Sequence, residues 1–265
     1  MSRSTVIPCF LAVVGGASTA VAAPPELLPE MSLRLQAARY RPTAPDLHWD
    51  TWIGAGVGLV RFDRTTVAFQ GDVETTAGNT RRAFDASQVN YHLEPAIRVA
   101  LRKDREATLF YHHVSRHEID RPKVQAVDWN VLGVRASAPL PSALRVDGRA
   151  TLSLGHTTQQ SLVGYRWEIL GQVEATPRRR SRGAPYAVTR LRVVTADRSA
   201  ALPRDGFTDF VLEGGARWGR AAQTLQVFVA YEHRNDVLIQ QPGAKDRALL
   251  GFRIGLRSAT PAPGP

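Results

Sequence analysis

The residues best equipped for chemistry are concentrated in one run, Thr108-Leu-Phe-Tyr-His-His-Val-Ser-Arg-His-Glu-Ile-Asp120. Side chains alternate between the two faces of a strand, so Ala107, Leu109, Tyr111, His113, Ser115 and His117 share one side, and Glu106, Thr108, Phe110, His112 and Arg116 the other. The first face begins oily and ends polar. An imidazole two residues from a hydroxyl can take its proton as the oxygen attacks an ester carbonyl, which makes His113 a candidate base and Ser115 a candidate nucleophile. A third group would have to hold the ring, and Glu118, Asp120 and Asp128 are the carboxylates in range along the chain. His112, Arg116 and His117 are candidate binding residues around the pair. His233 and Arg234, in the charged stretch Glu232-His-Arg-Asn-Asp236, could add a clamp from elsewhere, although such a stretch reads first as a solvated loop entrance.

Blander readings compete with each of these. Histidine, tyrosine and tryptophan rings favour a membrane interface, where an apolar body is buried and a polar tip stays wet. The His113-x-Ser115-x-His117 spacing could also place two imidazoles on one metal, but it is specific to no ion, and neither a metal nor an organic cofactor is expected. The glycine-spaced stretch Gly54-Ala-Gly56-Val-Gly58 lacks the helix that a phosphate loop needs and suits small inward residues on a strand. Arg178-Arg179-Arg180 reads as a solvated turn, with anionic lipid as the alternative.

These residues must be positioned by strands. Residues 1–22 read as an export signal: a positive start at Arg3, a short apolar core through Val14, and small residues at Ala20-Val-Ala22. The single cysteine, Cys9, belongs to that segment, so the mature chain is expected to contain neither disulfide nor thiol nucleophile. No later stretch approaches the ~18 apolar residues of a membrane helix. Instead, alternating segments recur near 50–62, 64–75, 88–102, 105–117, 126–138, 145–157, 162–175, 185–196, 207–219, 222–235 and 246–257. Each is long enough to cross a bilayer as a tilted strand.

Charge placement favours a membrane barrel over a soluble sandwich. The formal charge is +10, about +9 without Arg3, but the arginines recur singly within strands instead of clustering beside stacking aromatics, so no nucleic-acid partner is expected. Both signs lie on the polar faces of the strands, as in Glu94, Arg98 and Arg102, which suits a polar lumen. Long and short links alternate along the chain, as external loops and periplasmic turns do. Single-chain bacterial barrels have even strand numbers, so residues 31–40 are added as a first strand.

The expectation is therefore an all-β fold: a closed, antiparallel, up-and-down transmembrane β-barrel of twelve strands, with ten as the alternative. It occupies residues 23–258, precedes a proline-rich disordered tail at 259–265, and sits as a monomer in the outer membrane. With this topology the seven histidines fall near external strand ends.

Two resemblances accompany this reading. His113-Val-Ser115 near an external strand end resembles the catalytic pair of the outer-membrane lipid A 3-O-deacylase family, which implies His113 as base and Ser115 as nucleophile. Arg116 stands where that family usually has asparagine, and its acid would fall near Val127 and Asp128. His113-Val-Ser115-Arg-His117-Glu-Ile-Asp120 is similar to the H-Q-S-S-H-L-G-D motif of an uncharacterised family of bacterial outer-membrane barrels. It keeps both histidines, the first serine and the aspartate, and implies a barrel without a reaction. Function is thus first expected to be a non-catalytic barrel that interacts with or maintains the lipopolysaccharide layer. A lipid-facing serine esterase acting on lipid A or phospholipid is the alternative, and a small-solute channel the next.

Overall fold

The computed structural model describes residues 24–102, 104–119, 127–178, 183–198, 204–220, 222–238 and 243–259. The export signal, Asp120 and nearly all of the proline-rich tail lie outside the described residues. Twelve antiparallel strands follow in chain order: β1 (Glu26–Ala44), β2 (Leu47–Phe62), β3 (Thr65–Gly78), β4 (Asp85–Arg102), β5 (Arg105–Glu118), β6 (Val127–Pro139), β7 (Val146–Gln160), β8 (Tyr165–Pro177), β9 (Ala184–Ala196), β10 (Gly206–Arg220), β11 (Gln223–Asn235) and β12 (Ala244–Ala259). Each pairs with its chain neighbour, and β1 pairs with β12 to close the ring. The weakly alternating stretch at 31–40 is the middle of β1, in register with β12 through pairs such as Leu35 and Ile254. Twelve is the expected count.

Closure satisfies the backbone of every strand without an open edge, which is what a sheet needs in hydrocarbon. Among the described residues no helix is long and apolar enough to span a membrane. The oily faces of the strands point outward: Leu33, Leu35, Ile53, Leu109, Val134, Leu152, Ile169, Leu212, Val229, Leu250 and Phe252 are all exposed. The inner faces carry a ladder of ion pairs that crosses between strands. Arg34 meets Asp72 at 2.9 Å, Arg135 meets Glu94 at 2.8 Å, Arg192 meets Glu168 and Asp209 at 2.6 and 3.0 Å, and Arg253 meets Glu213 at 2.9 Å. Arg98 pairs with Glu30 in the same way. A charge left unpaired in such an interior costs several kcal/mol, so both signs on each inner face are a condition of the fold.

The glycine-spaced stretch lies within β2 and faces this ladder. A Cβ on Gly54 would stand 1.9 Å from Asp72 Oδ1, and one on Gly56 would stand 2.3 Å from Gln70 Oε1. Gly54 makes room for Asp72, the partner of Arg34, and Gly56 for Gln70, which donates to Asp72 at 3.1 Å.

The outer mouth is filled. Just after β11 the chain turns inward, and Val237 and Leu238 bury against Tyr40, Leu47, Tyr186, Phe228 and Leu249. Gln88 donates to the Val237 carbonyl at 3.0 Å, Tyr165 donates to the Asp236 carboxylate at 2.9 Å, and Arg204 pairs with the same carboxylate. Arg116 donates to the Asp236 carbonyl from β5. Val237 is 1% exposed, so this segment is a plug and not the solvated loop entrance suggested by its charge.

Candidate functional site on the lipid-facing wall

Strands β5 and β6 carry the candidate residues outward. In register, His113 stands opposite Asn130, Ser115 opposite Asp128, Tyr111 opposite Leu132 and Leu109 opposite Val134. Val114 and Arg116, one residue out of phase, are buried on the inside. The strand therefore divides the run as its period requires, with polar groups at the external end of an apolar column.

His113 Nδ1 lies 2.7 Å from Asn130 Oδ1. An amide oxygen can only accept, so this contact places the ring proton on Nδ1 and leaves Nε2 bare to act as a base. Asn130 is itself held by Gln159, which accepts from its Nδ2 at 3.4 Å. Ser115 Oγ lies 2.7 Å from Nε2 of His117, whose ring meets the edge of Tyr91 at 5.5 Å. The serine thus stands between two imidazoles on one face, bonded to the outer one, while the inner one is oriented by an amide. Rotation about χ1 is the motion that would carry Oγ from one neighbour towards the other.

Of the three carboxylates considered from the sequence, the two that are described, Glu118 and Asp128, do not occupy the place of Asn130. Asp128 faces outward, but its carboxylate accepts from the Ser161 hydroxyl, and the same hydroxyl takes the Asp128 N–H at 3.0 Å. Glu118 shares the inward phase of Arg116, and Asp120 lies outside the described residues. The orienting residue that sequence reasoning missed is an amide one strand away. Its only sequence signal is a second polar residue, two after Asp128, on a β6 face that is apolar from Leu132 onward.

The five binding candidates separate. His117 joins the outward cluster. His112 faces the lumen, where its ring stacks on His92 with centroids 5.5 Å apart. Arg116 holds the plug and lies over the Trp129 ring at 5.1 Å. Arg234 is inside, 2.6 Å from Glu74, and His233 is outside on β11, 2.9 Å from Asp246. A barrel wall divides these residues, so they do not make one pocket. Among the described residues, no three His, Cys, Asp or Glu side chains converge as a metal cage.

Below the polar cluster the wall is grooved. Ile97, Leu109, Val134, Leu152 and Leu154 border a depression of about 450 Å³ with almost wholly apolar walls. Small residues at Ala107 and Ala136 let it sink between the larger ones.

No protein-family model matches the chain, and no curated protein is significantly similar to it in sequence. Solved structures are similar in fold. Outer membrane phospholipase A from Escherichia coli aligns over 87% of this chain and 97% of its own with a TM-score of 0.55 and 9% identity. The Salmonella typhi outer membrane phospholipase dimer with bound calcium aligns over 85% and 90%, with a TM-score of 0.54 and 9% identity. The translocator domain of the autotransporter NalP from Neisseria meningitidis aligns over 87% and 88%, with a TM-score of 0.41 and 12% identity. The chain is a closed twelve-strand β-barrel of the bacterial outer membrane.

Proposed function

We propose that this barrel is a lipid-facing serine esterase that cleaves acyl esters of outer-membrane lipids, with Ser115 as nucleophile, His113 as base and Asn130 as the residue that orients the base. The observation that carries this reading is the 2.7 Å contact between His113 Nδ1 and Asn130 Oδ1 on the lipid side, two residues from an outward hydroxyl. A non-catalytic barrel has no need to fix an imidazole tautomer in that position, so the esterase is preferred to a purely structural role in the lipopolysaccharide layer. That two fold neighbours are named phospholipases adds support. The plugged mouth argues against the channel.

The steps balance with groups on the wall and water. His113 Nε2 takes the Ser115 proton as Oγ bonds to the ester carbonyl carbon, and the carbonyl π electrons move to oxygen. Collapse of that intermediate breaks the bond to the alcohol oxygen, which receives the proton from His113 and leaves as the deacylated lipid. Water, deprotonated by the same nitrogen, then attacks the acyl-serine and releases the fatty acid. Asn130 keeps the proton on Nδ1 throughout and favours the imidazolium through its amide oxygen. His117 holds the hydroxyl at rest. The apolar depression beneath the cluster gives an acyl chain a place to lie while its ester is at the polar end.

The test is hydrolysis of phospholipid vesicles, and separately of lipid A, by the refolded barrel. Release of free fatty acid that is lost in both Ser115→Ala and His113→Ala is expected. A correctly folded barrel that releases no fatty acid from either lipid removes the proposal.

A further inference from the structure

The inside and the outside of the barrel treat arginine differently. Arg34, Arg98, Arg135, Arg192, Arg217, Arg234 and Arg253 face the lumen, and each meets a carboxylate. Arg39 and Arg41, two residues apart near the external end of β1, are exposed. Neither has a hydrogen-bond or ion-pair partner among the described residues. Their column is lipid-facing, since Leu33, Leu35 and Ala37 precede them on the same face, and Leu250 and Ala248 stand opposite them on β12.

Their depth can be read from their neighbours. Arg39 is opposite Trp49 in register, its guanidinium lies over the indole at 5.8 Å, and Trp49 stacks on Phe84 at 5.2 Å. Tryptophan settles at the headgroup level. A guanidinium on a lipid-facing strand is costly at the midplane and costs little at the interface, so this pair belongs among headgroups. The nearest outward carboxylate on β12, Asp246, is engaged by Tyr231 at 2.6 Å and His233 at 2.9 Å.

We propose that Arg39 and Arg41, floored by Trp49 and Phe84, form a binding site for the phosphomonoester headgroup of an outer-leaflet lipid whose chains lie on Leu35, Ile53 and Phe252. Charge complementarity selects the monoester. Two guanidiniums about 7 Å apart along the strand present two positive charges, matching the roughly −1.5 to −2 of a phosphomonoester better than the single charge of a diester. The guanidinium fork suits phosphate oxygens in two-pronged contact. The site is four strands from the hydrolytic cluster in the ring of twelve, and it stands whether or not that cluster is an esterase.

Native mass spectrometry of the detergent-released barrel tests it, with phosphatidic acid and phosphatidylglycerol of matched chains as probes and Ser115→Ala in every sample to prevent turnover. Phosphatidic acid adducts should exceed those of phosphatidylglycerol. They should weaken at least about tenfold in Arg39→Gln/Arg41→Gln and survive millimolar inorganic phosphate. Equal retention of the two lipids, unchanged adducts in a double variant that keeps the folded barrel's gel mobility, or displacement by inorganic phosphate would each overturn the assignment.

Discussion

The two faces of the β5–β6 wall place polar groups in opposite circumstances. On the inner face, Arg135 makes two contacts of 2.8 Å with Glu94, Arg116 reaches Asp236 and lies over Trp129, and His112 stacks on His92. Each group there has a partner: a carboxylate for Arg135, a backbone carbonyl and an indole for Arg116, and a second imidazole for His112. On the outer face, His113, Ser115, His117, Asp128 and Asn130 form a small polar island in an apolar field that includes Leu109, 49% exposed, and Val134, 57% exposed. The lumen requires charges in order to close, whereas lipid-facing polar groups gain nothing from hydrocarbon contact. On the proposed reading, the interior network serves stability and the exterior island serves the reaction.

Substitutions on each face can break this division or sharpen it. The largest effect is expected outside: Ser115→Ala or His113→Ala should lower ester hydrolysis by at least about 10³-fold with no change in thermal unfolding, as measured by fatty-acid release and heat-modifiable gel mobility. The reverse pattern is expected inside. Glu74 is fully buried, and its carboxylate is bound by Arg234 at 2.6 Å and by Asn90 at 2.6 Å. Arg234→Gln leaves that carboxylate without its cation and should destabilise the barrel by about 3–5 kcal/mol, read as a lower unfolding midpoint in urea.

Asn130→Ala is intermediate. With the ring tautomer no longer fixed, hydrolysis should fall by roughly 10²-fold, and Asn130→Asp, which keeps an acceptor at Nδ1, should recover part of that loss. His117→Ala, which removes the resting partner of Ser115 but not the oriented base, is expected to cost less than about tenfold in kcat. A loss as large as that of His113→Ala would reassign the base to His117. The smallest effect should come from Val229→Ala, a lipid-exposed change remote from both networks, within about 0.5 kcal/mol of stability.

Much of this architecture was legible because a strand's period is two. Alternation located eleven strands, the even-number rule supplied β1, and the phase of the Thr108–Asp120 run put His113, Ser115 and His117 outside and His112 and Arg116 inside. What alternation cannot supply is register between strands joined by a long link. Asn130 meets His113 because β6 pairs with β5 in one particular register, and no local pattern around Trp129-Asn130 encodes it. Attention to carboxylates hid it further, since an amide orients an imidazole with the same acceptor geometry.

The plug was hidden for a different reason. The charged stretch at 232–236 suggested a solvated loop, but Arg234 is drawn inside by Glu74, 160 positions earlier in the chain, and Asp236 by Tyr165 and Arg204. Only the apolar pair Val237-Leu238, unexpected at the tip of an external loop, hinted that the segment turns inward. Pairing between distant charges is a tertiary property, and composition alone does not reveal it.

The central claim is that the Ser115 oxygen is a nucleophile on the lipid side of the wall. The most direct measurement is the intact mass of the folded barrel after exposure in mixed micelles to a long-chain alkyl fluorophosphonate, in which the serine oxygen displaces fluoride at phosphorus. One phosphonyl group per chain, mapped by peptide fragmentation to Ser115, absent from Ser115→Ala and formed much more slowly in His113→Ala, is the predicted result. A folded wild-type barrel that gains no mass, or a label that persists in Ser115→Ala, would contradict it.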